Sequence, residues 1–495
     1  MSASPLGLLR SVRLGPLTLC QACGAFNDNL IKNAMVVFAL FTLGQGGAGL
    51  SALAGALFIA PYLLLSATAG QLADCYVKSH VILVTKVAEL GLMLLAGVAF
   101  LTASVPGLLL VLFGLGVQSA MFGPVKYGVL PELLPSDELV AGNGVIEAGT
   151  FVAIVAGTVV GGSLALLESG PALVSALGLA IAVVGVLAAR WIPERPPADP
   201  HLTVGLKPVR ETAHLVRQAV AHPTIRSSIL GISWFWLIGA TLMTEFPVLA
   251  RDTMGASGSV LTVFLTVFAL GVGTGSIGAA RLLHGQVSAR YVPLAGLVIS
   301  IFLWDFASAA HAASAAGLRD AAALVTHWAG GRILLDLFVL ACAGGLFSVP
   351  QYALMQDAAP VDRRSRTIAA NNVVNALFMV LGAAITAALA GVGLDAPSVL
   401  QAAASPISWW RSALRASGCR GCSARSPDAL GGSRSRQLEI ASRASPRVRG
   451  PNPPMITTTI AMAAAMKANT AITPPRPRNM AIARPDSAAD NRLQA

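Results

Sequence analysis

Eleven stretches of this 495-residue chain are each long and apolar enough to cross a bilayer, and no other feature limits its fold so strongly. They cover approximately 17–43, 49–72, 80–103, 106–125, 140–166, 171–192, 226–249, 259–283, 291–312, 331–354 and 367–392. Backbone groups surrounded by hydrocarbon must pair within their own segment, and about 20 residues are needed to cross, so each run is read as an α-helix. Only 12% of residues are charged, against about 25% in a soluble globular protein. A water-soluble enzyme is therefore excluded, and an all-α membrane protein is expected. Glycine and alanine are abundant in the runs, which lets helix backbones approach closely where lipid gives no hydrophobic drive for association.

The formal charge of +11 divides unevenly along the chain. Residues 1–404 carry 20 Lys and Arg against 19 Asp and Glu, whereas 405–495 carry 14 against 4. The basicity belongs to the tail, and no nucleic-acid partner is expected. With the N-terminus in the cytoplasm, Arg10, Arg13, Lys78, Lys126, Arg190, Arg195, Lys207, Arg210, Arg217, Arg226, Arg281, Arg290, Arg363, Arg364 and Arg366 fall on the inner side. Only Arg251 and Arg319 fall outside, and an excess of Lys and Arg in cytoplasmic loops fixes orientation. The first run is too long for a signal-peptide core and no small-residue cleavage pattern follows it, so it is kept as a span. Cys20, Cys23 and Cys342 lie inside apolar runs, and Cys20 and Cys23 lack the partners of a metal site. No disulfide framework, metal or cofactor is expected.

The longest connection, 193–225, opens with Pro193, Pro196, Pro197 and Pro200. It divides the chain into a first half over 1–192, a cytoplasmic linker over 193–225, and a second half over 226–404 with five full helices and a partial sixth. Within the linker, Val209, Ala213, Val216 and Val220 share one helical face and Arg210, Glu211 and Arg217 lie elsewhere. This is either an interfacial helix or a solvated one. The halves also repeat. Phe122, Lys126, Tyr127, Glu132, Pro135 and Asp137 fall 225 residues before Phe347, Gln351, Tyr352, Asp357, Pro360 and Asp362. After a three-residue insertion, Asn143, Val145, Glu147 and Ala148 match Asn371, Val373, Asn375 and Ala376. Two parallel six-helix pseudo-repeats are the arrangement of major facilitator transporters, whose cargo sits near mid-bilayer between rocking halves.

A twelfth span starts at 396–404, but Pro406, Trp409, Arg411 and Arg415 end the apolar run too soon. The twelfth helix is therefore read as lost. Residues 405–495 are rich in Ser, Pro, Ala and Arg without periodicity and are expected to be a disordered basic tail. The tail reads as foreign to the ancestral protein, as a reading-frame change in GC-rich DNA would produce. The alternative is a functional polybasic tail for anionic lipid or RNA.

Ionisable groups inside a bilayer cost roughly 2.5–3.5 kcal/mol each on insertion scales, so they are functional candidates by default. The densest group is Asn27, Asp28, Asn29, Lys32 and Asn33 in the first run. Asp28 and Lys32 are four apart, on one helical face with the acid first. The group either lines a polar site for a headgroup or a cation, or braces the first helix against its neighbours. Asn143, Glu147 and Thr150 form a stripe on the fifth run that Asn371 and Asn375 mirror, and either cavity lining or interhelical hydrogen bonding explains them. Gly157, Gly161 and Gly162 suit close packing. Lys86 and Glu89, three apart, are read as a local pair, Glu245 as a rim carboxylate, and Asp305, Arg332 and Asp336 as a gate or a solvated rim. Trp234 and Trp236 are read as anchors or packing.

The loop Gly70-Gln-Leu-Ala-Asp74-Cys-Tyr-Val-Lys78 resembles the major facilitator loop signature. An aspartate at a helix end accepts backbone N–H groups and pairs with a base across the halves. Cys75 and Val77 depart from that pattern, standing where a base and a glycine are usual, which weakens the charge relay. GAFNDNLIKNA (24–34), FGPVKYGVLPELLP (122–135) and NGVIEAGTFVAIVAGTVVGG (143–162) together resemble the lysophospholipid transporter family, over about residues 10–404. The resemblance is particularly to the transporter part often joined to an acyltransferase and an acyl-ligase. It implies movement of lysophospholipids across a bacterial inner membrane toward the cytoplasmic leaflet for reacylation. It places Asp28 as the first-helix acid, Lys126 and Tyr127 as an inner-end pair, and Asp357 as the acid after the tenth helix. Neither an acyltransferase histidine-aspartate motif nor an adenylate-forming loop is seen, so acylation falls to another protein. A proton-coupled exporter of small apolar molecules and a non-transporting scaffold for lipid enzymes are the competing classes.

Overall fold

The computed structural model describes residues 4–404 apart from 45–47, 206 and 314–316. The tail from 405, with the expectations of disorder and foreign origin, lies outside the described residues. Among these, every regular element is helical. The first half holds α1 (Pro5–Leu9), α2 (Gly15–Val37), α3 (Ala48–Cys75), α4 (Lys78–Leu101), α5 (Val105–Leu133), α6 (Leu139–Leu164) and α7 (Gly170–Ala189). The linker holds α8 (Pro208–Ala221). The second half holds α9 (Pro223–Val248), α10 (Gly258–Leu283), α11 (Val292–Ala312), α12 (Ala321–Thr326), α13 (Trp328–Ala358), α14 (Arg364–Gly391) and α15 (Ala396–Ala404).

Ten helices among the described residues are long and apolar enough to span a bilayer. The first expected run, α2, has the length but is not one of them, because its middle is the Asn27–Asn33 polar group. It is shielded instead by α6 and α7, against which it packs. Polar groups at membrane depth are tolerated where protein rather than lipid surrounds them.

The repeat seen in the sequence is a repeat of shape. α2 and α9 both end in a π-helical turn, at Phe38–Thr42 and Leu249–Thr253. α5 and α13 both carry internal proline, and each leads into a 3₁₀ turn, Ser136–Glu138 and Val361–Arg363. α7 packs on α2 and α4, and α15 packs correspondingly on α9 and α11. α5 and α13 run to Leu133 and Ala358, beyond the expected ends at 125 and 354. Polar side chains in their last turns meet protein rather than lipid, Glu132 on Lys78 and Gln356 on Asn143, so hydropathy misplaces their ends.

α8 buries Leu215 and Ala219, and Val209 of the expected apolar face is 75% exposed. Its packing against α3, α9 and α14 selects a different stripe. Gly157 and Gly161 do serve close contact. A Cβ at Gly157 would strike the Phe26 carbonyl oxygen, and one at Gly161 would lie 2.5 Å from the Leu30 carbonyl oxygen. Gly157→Leu or Gly161→Leu is expected to force α6 off α2 and cost about 1–3 kcal/mol each, as overpacking does. Thermal unfolding in detergent checks this; midpoints within a degree of the parent would contradict it.

Candidate functional site

The interior polar residues form two layers, and the α2–α6 pairing sets their heights. Gln21 Nε2 donates to Thr150 Oγ1 at 3.0 Å, and Phe26 and Leu30 lie against Gly157 and Gly161. Asp28 therefore stands level with the 157–161 turn of α6, about twelve residues or ~18 Å of helix beyond Glu147.

The layer nearer the loop of Asp74 joins the halves. Asn143 Nδ2 donates to Gln356 Oε1 at 2.6 Å, and Gln356 Nε2 donates to Asn143 Oδ1 at 3.1 Å and to the Tyr127 carbonyl at 3.0 Å. One turn further, Tyr127 and Tyr352 stack with ring centroids 4.4 Å apart and planes 11° from parallel. The Tyr127 hydroxyl donates to Glu147 Oε2 at 3.1 Å and the Ser348 hydroxyl to Glu147 Oε1 at 3.5 Å. Another turn along, Phe151 stacks on Trp236 at 6.0 Å. Asn143, Glu147 and Phe151, spaced by four on α6, thus form a ladder of cross-half contacts. Trp236 Nε1 donates to the Tyr352 hydroxyl at 3.2 Å, and the Ser233 hydroxyl donates to Asn375 Oδ1 at 2.7 Å. Asn371 is buried on the same helix. Lys126 is half-buried with its ammonium 4.9 Å from the Tyr127 ring centre.

The farther layer lies within the first half. The Ser119 hydroxyl is 2.6 Å from Asp28 Oδ2. Lys32, expected beside Asp28, donates to Asn29 Oδ1 at 3.1 Å instead. Asn29 Nδ2 returns to the Ala25 carbonyl, and Asn33 Nδ2 reaches Thr158 Oγ1 at 3.3 Å. Behind them, away from water, Glu89 accepts from Lys86 Nζ at 2.7 Å, Asn27 Nδ2 at 3.0 Å and Gln118 Nε2 at 3.2 Å. Lys86 and Glu89 are both 0% exposed, so the local pair is the hub of a buried network.

At the loop end, Asp74 accepts the backbone N–H groups of Ser365 and Arg366, each at 3.1 Å, and Arg366 Nε at 3.0 Å. It satisfies orphan donors in the first turn of α14 and places a carboxylate at that helix's positive end. Gly70 permits the approach: a Cβ there would lie 2.7 Å from Ala369 Cβ and 3.0 Å from Arg366 Cα.

The sequence profile of the Major Facilitator Superfamily matches residues 17–410. Lysophospholipid transporter LplT of Klebsiella pneumoniae (strain 342) is 32% identical over 321 residues, which cover 64% of this chain and 72% of that protein. The chain belongs to the lysophospholipid transporter family of the major facilitator superfamily. Lysophospholipid transporter LplT of Cronobacter sakazakii (strain ATCC BAA-894) is 29% identical over 377 residues, 75% of this chain and 86% of that protein. Among solved structures, the human organic anion transporter MFSD10 superposes with a TM-score of 0.61 at 16% identity, covering 82% of this chain and 97% of its own. A bacterial homologue of the iron transporter ferroportin gives 0.58 at 16% identity, covering 81% and 100%. These two share the fold.

In this facilitator the expected switch residues do not all meet. Lys78 pairs with Glu132 of its own half at 2.7 Å, so it braces α4 against α5. Asp357 is exposed and is not among the acids around Arg366, which are Asp74, Asp199 and Asp362, the last also accepting Arg366 Nη2 through its backbone carbonyl. Glu245, expected at a solvated rim, is only 5% exposed because α9 turns it inward. Asp305 and Arg332 do pair, at 2.5 Å, on the rim. The sequence reading missed Gln118, Ser119, Ser348 and Gln356. Ser348 and Gln356 lie inside the repeated segment, and that was their available signal. Gln118 and Ser119 gave none, since single polar residues in an apolar run carry no spacing.

Proposed function

We propose that this chain carries lysophospholipids across a bacterial inner membrane toward the cytoplasmic leaflet by alternating access. Two interior cations carry the reading. Lys32 and Lys126 are half-buried, one in each polar layer, and among the described residues neither has a carboxylate within ion-pair distance. An ammonium at membrane depth without a directly bonded counter-ion is costly, and the anionic phosphate of a lipid headgroup neutralises it with a charge-assisted hydrogen bond. Asp28 and Glu147 supply the opposite charge for an ammonium-bearing head. The second half offers amides, hydroxyls and rings at these levels, through Ser233, Trp236, Asn371 and Asn375, and its buried carboxylate Glu245 lies farther along α9. The orientation that fits is the N-terminus and the Asp74 loop in the cytoplasm. Reacylation falls to a separate acyltransferase or acyl-ligase.

The test is uptake of labelled lysophosphatidylethanolamine into proteoliposomes, with and without a proton gradient. Lys32→Met, Lys126→Met and Asp28→Asn are each expected to lower uptake at least about tenfold, the value of one charge-assisted hydrogen bond. Gradient-dependent efflux of an apolar drug with no lipid movement overturns the reading. Reacylation in cells that survives Asp28→Asn unchanged would favour a scaffold.

A further inference from the structure

The linker between the halves is attached to the switch it passes. α3 ends at Cys75, and carbonyl groups in its last turn have no partner within the helix. The backbone N–H of Asp199 donates to the Asp74 carbonyl at 2.9 Å, and Cys75 Sγ lies 3.5 Å from the Leu202 carbonyl. One turn earlier, Gln71 binds the linker twice: its Oε1 accepts the Gly205 N–H at 2.8 Å and its Nε2 donates to Glu211 Oε2 at 3.0 Å. These bonds fix the Asp199 carboxylate beside Asp74, where it accepts Arg366 Nη2 at 3.1 Å. Arg366, from the second half, is thus shared between Asp74, which is wholly buried, and Asp199, whose side chain is 29% exposed. The linker thus adds a second carboxylate to the cation that crosses from the other half.

We propose that Asp199 is a positioning residue for transport: held by Gln71 and the Asp74 carbonyl, it fixes Arg366 on Asp74 and so sets how often the Asp74 end opens. The linker then acts as part of the latch rather than as a spacer. During each cycle Arg366 must leave two carboxylates, and the Gln71 bonds keep Asp199 in place for its return.

Spin labels at Ser136→Cys and Val361→Cys, on the two matching 3₁₀ turns, report the opening of this end by double electron–electron resonance. The background is the full-length chain with its native cysteines changed to serine, which preserves a donor at 75. Asp199→Asn is expected to raise the long-distance population about three- to tenfold, as for one partly exposed charge-assisted hydrogen bond. Asp199→Glu should restore most of the parent distribution. Gln71→Ala, which frees the linker without touching Arg366, should shift it in the same direction as Asp199→Asn. An Asp199→Asn distribution that superimposes on the parent overturns the proposal, and so does a Gln71→Ala shift toward the closed distance. The distances are read without lipid cargo, so they stand apart from the choice of substrate.

Discussion

Glu89→Gln is expected to cost the folded protein about 3–5 kcal/mol, the penalty for removing one member of a buried ion pair. Lys86 has no route to water: its ammonium is bonded to Glu89 and faces the Phe122 ring at 4.9 Å, with both charged side chains 0% exposed. The amide keeps the shape of the carboxylate but leaves the ammonium without its counter-charge. Its NH₂ group would also face the donors Asn27 and Gln118. Low yield of dispersed protein and a strongly lowered unfolding midpoint in detergent are the measurements. Lys86→Met with Glu89→Leu should recover part of the loss, since apolar replacement of a whole pair is often neutral. Recovery stays incomplete because Gln118 Nε2 then loses its acceptor and Asn27 Nδ2 keeps only the Gly178 carbonyl. A Glu89→Gln midpoint within about a degree of the parent would show that water reaches this pair.

Asp74→Asn should move the conformational equilibrium toward the state open at the Asp74 end by about 10- to 100-fold. The carboxylate accepts two helix N-terminal amides and one guanidinium N–H across the halves. Hydrogen bonds to a charged group contribute about 1.5–3 kcal/mol, and 1.4 kcal/mol is a factor of ten. Asparagine retains one acceptor and loses the charge that complements both Arg366 and the end of α14. Ser348→Cys, buried in the parent, provides the readout. In the Asp74→Asn background it should react with a membrane-impermeant maleimide from the Asp74 side. Transport should fall, because one state is then over-populated. Unchanged maleimide reactivity would mean that the cross-half ladder at Asn143 and Tyr127 closes this end without Asp74.

The two variants mark what a sequence reader could and could not see. Lys86 and Glu89 were legible as a pair because three residues on a helix bring side chains together. That Asn27 and Gln118 converge on the same carboxylate from α2 and α5 was not legible, because no spacing along one helix encodes contacts with two others. Asp74 was legible from its loop. Its partner Arg366 was visible only as one more cytoplasmic cation, and Asp199 sat unmarked in a proline-rich linker. The repeat marked Tyr127 and Tyr352 as equivalent positions, and the structure shows that they also stack on each other. It did not predict that Glu147, whose counterpart is Asn375, would place a carboxylate on the Tyr127 hydroxyl. Asp28 and Glu147 were both legible as candidates for lining a polar interior, without their relative heights. Hydropathy gives no height along a span, and only the α2–α6 pairing shows that two levels separate them.

The seat of α15 carries a consequence for how damage would spread through such a duplicated design. α7 and α15 each lie outboard, propped on two inner helices of their own half, and neither reaches across to the other side. The cross-half contacts at Asp74, Asn143 and Tyr127 are made by α3, α5, α6, α13 and α14. Cutting α15 away would therefore bare greasy flanks of α9 and α11 to surrounding lipid before it disturbed the doorway. Its earliest symptom would be fragility during extraction from the bilayer, with the moving parts still in register.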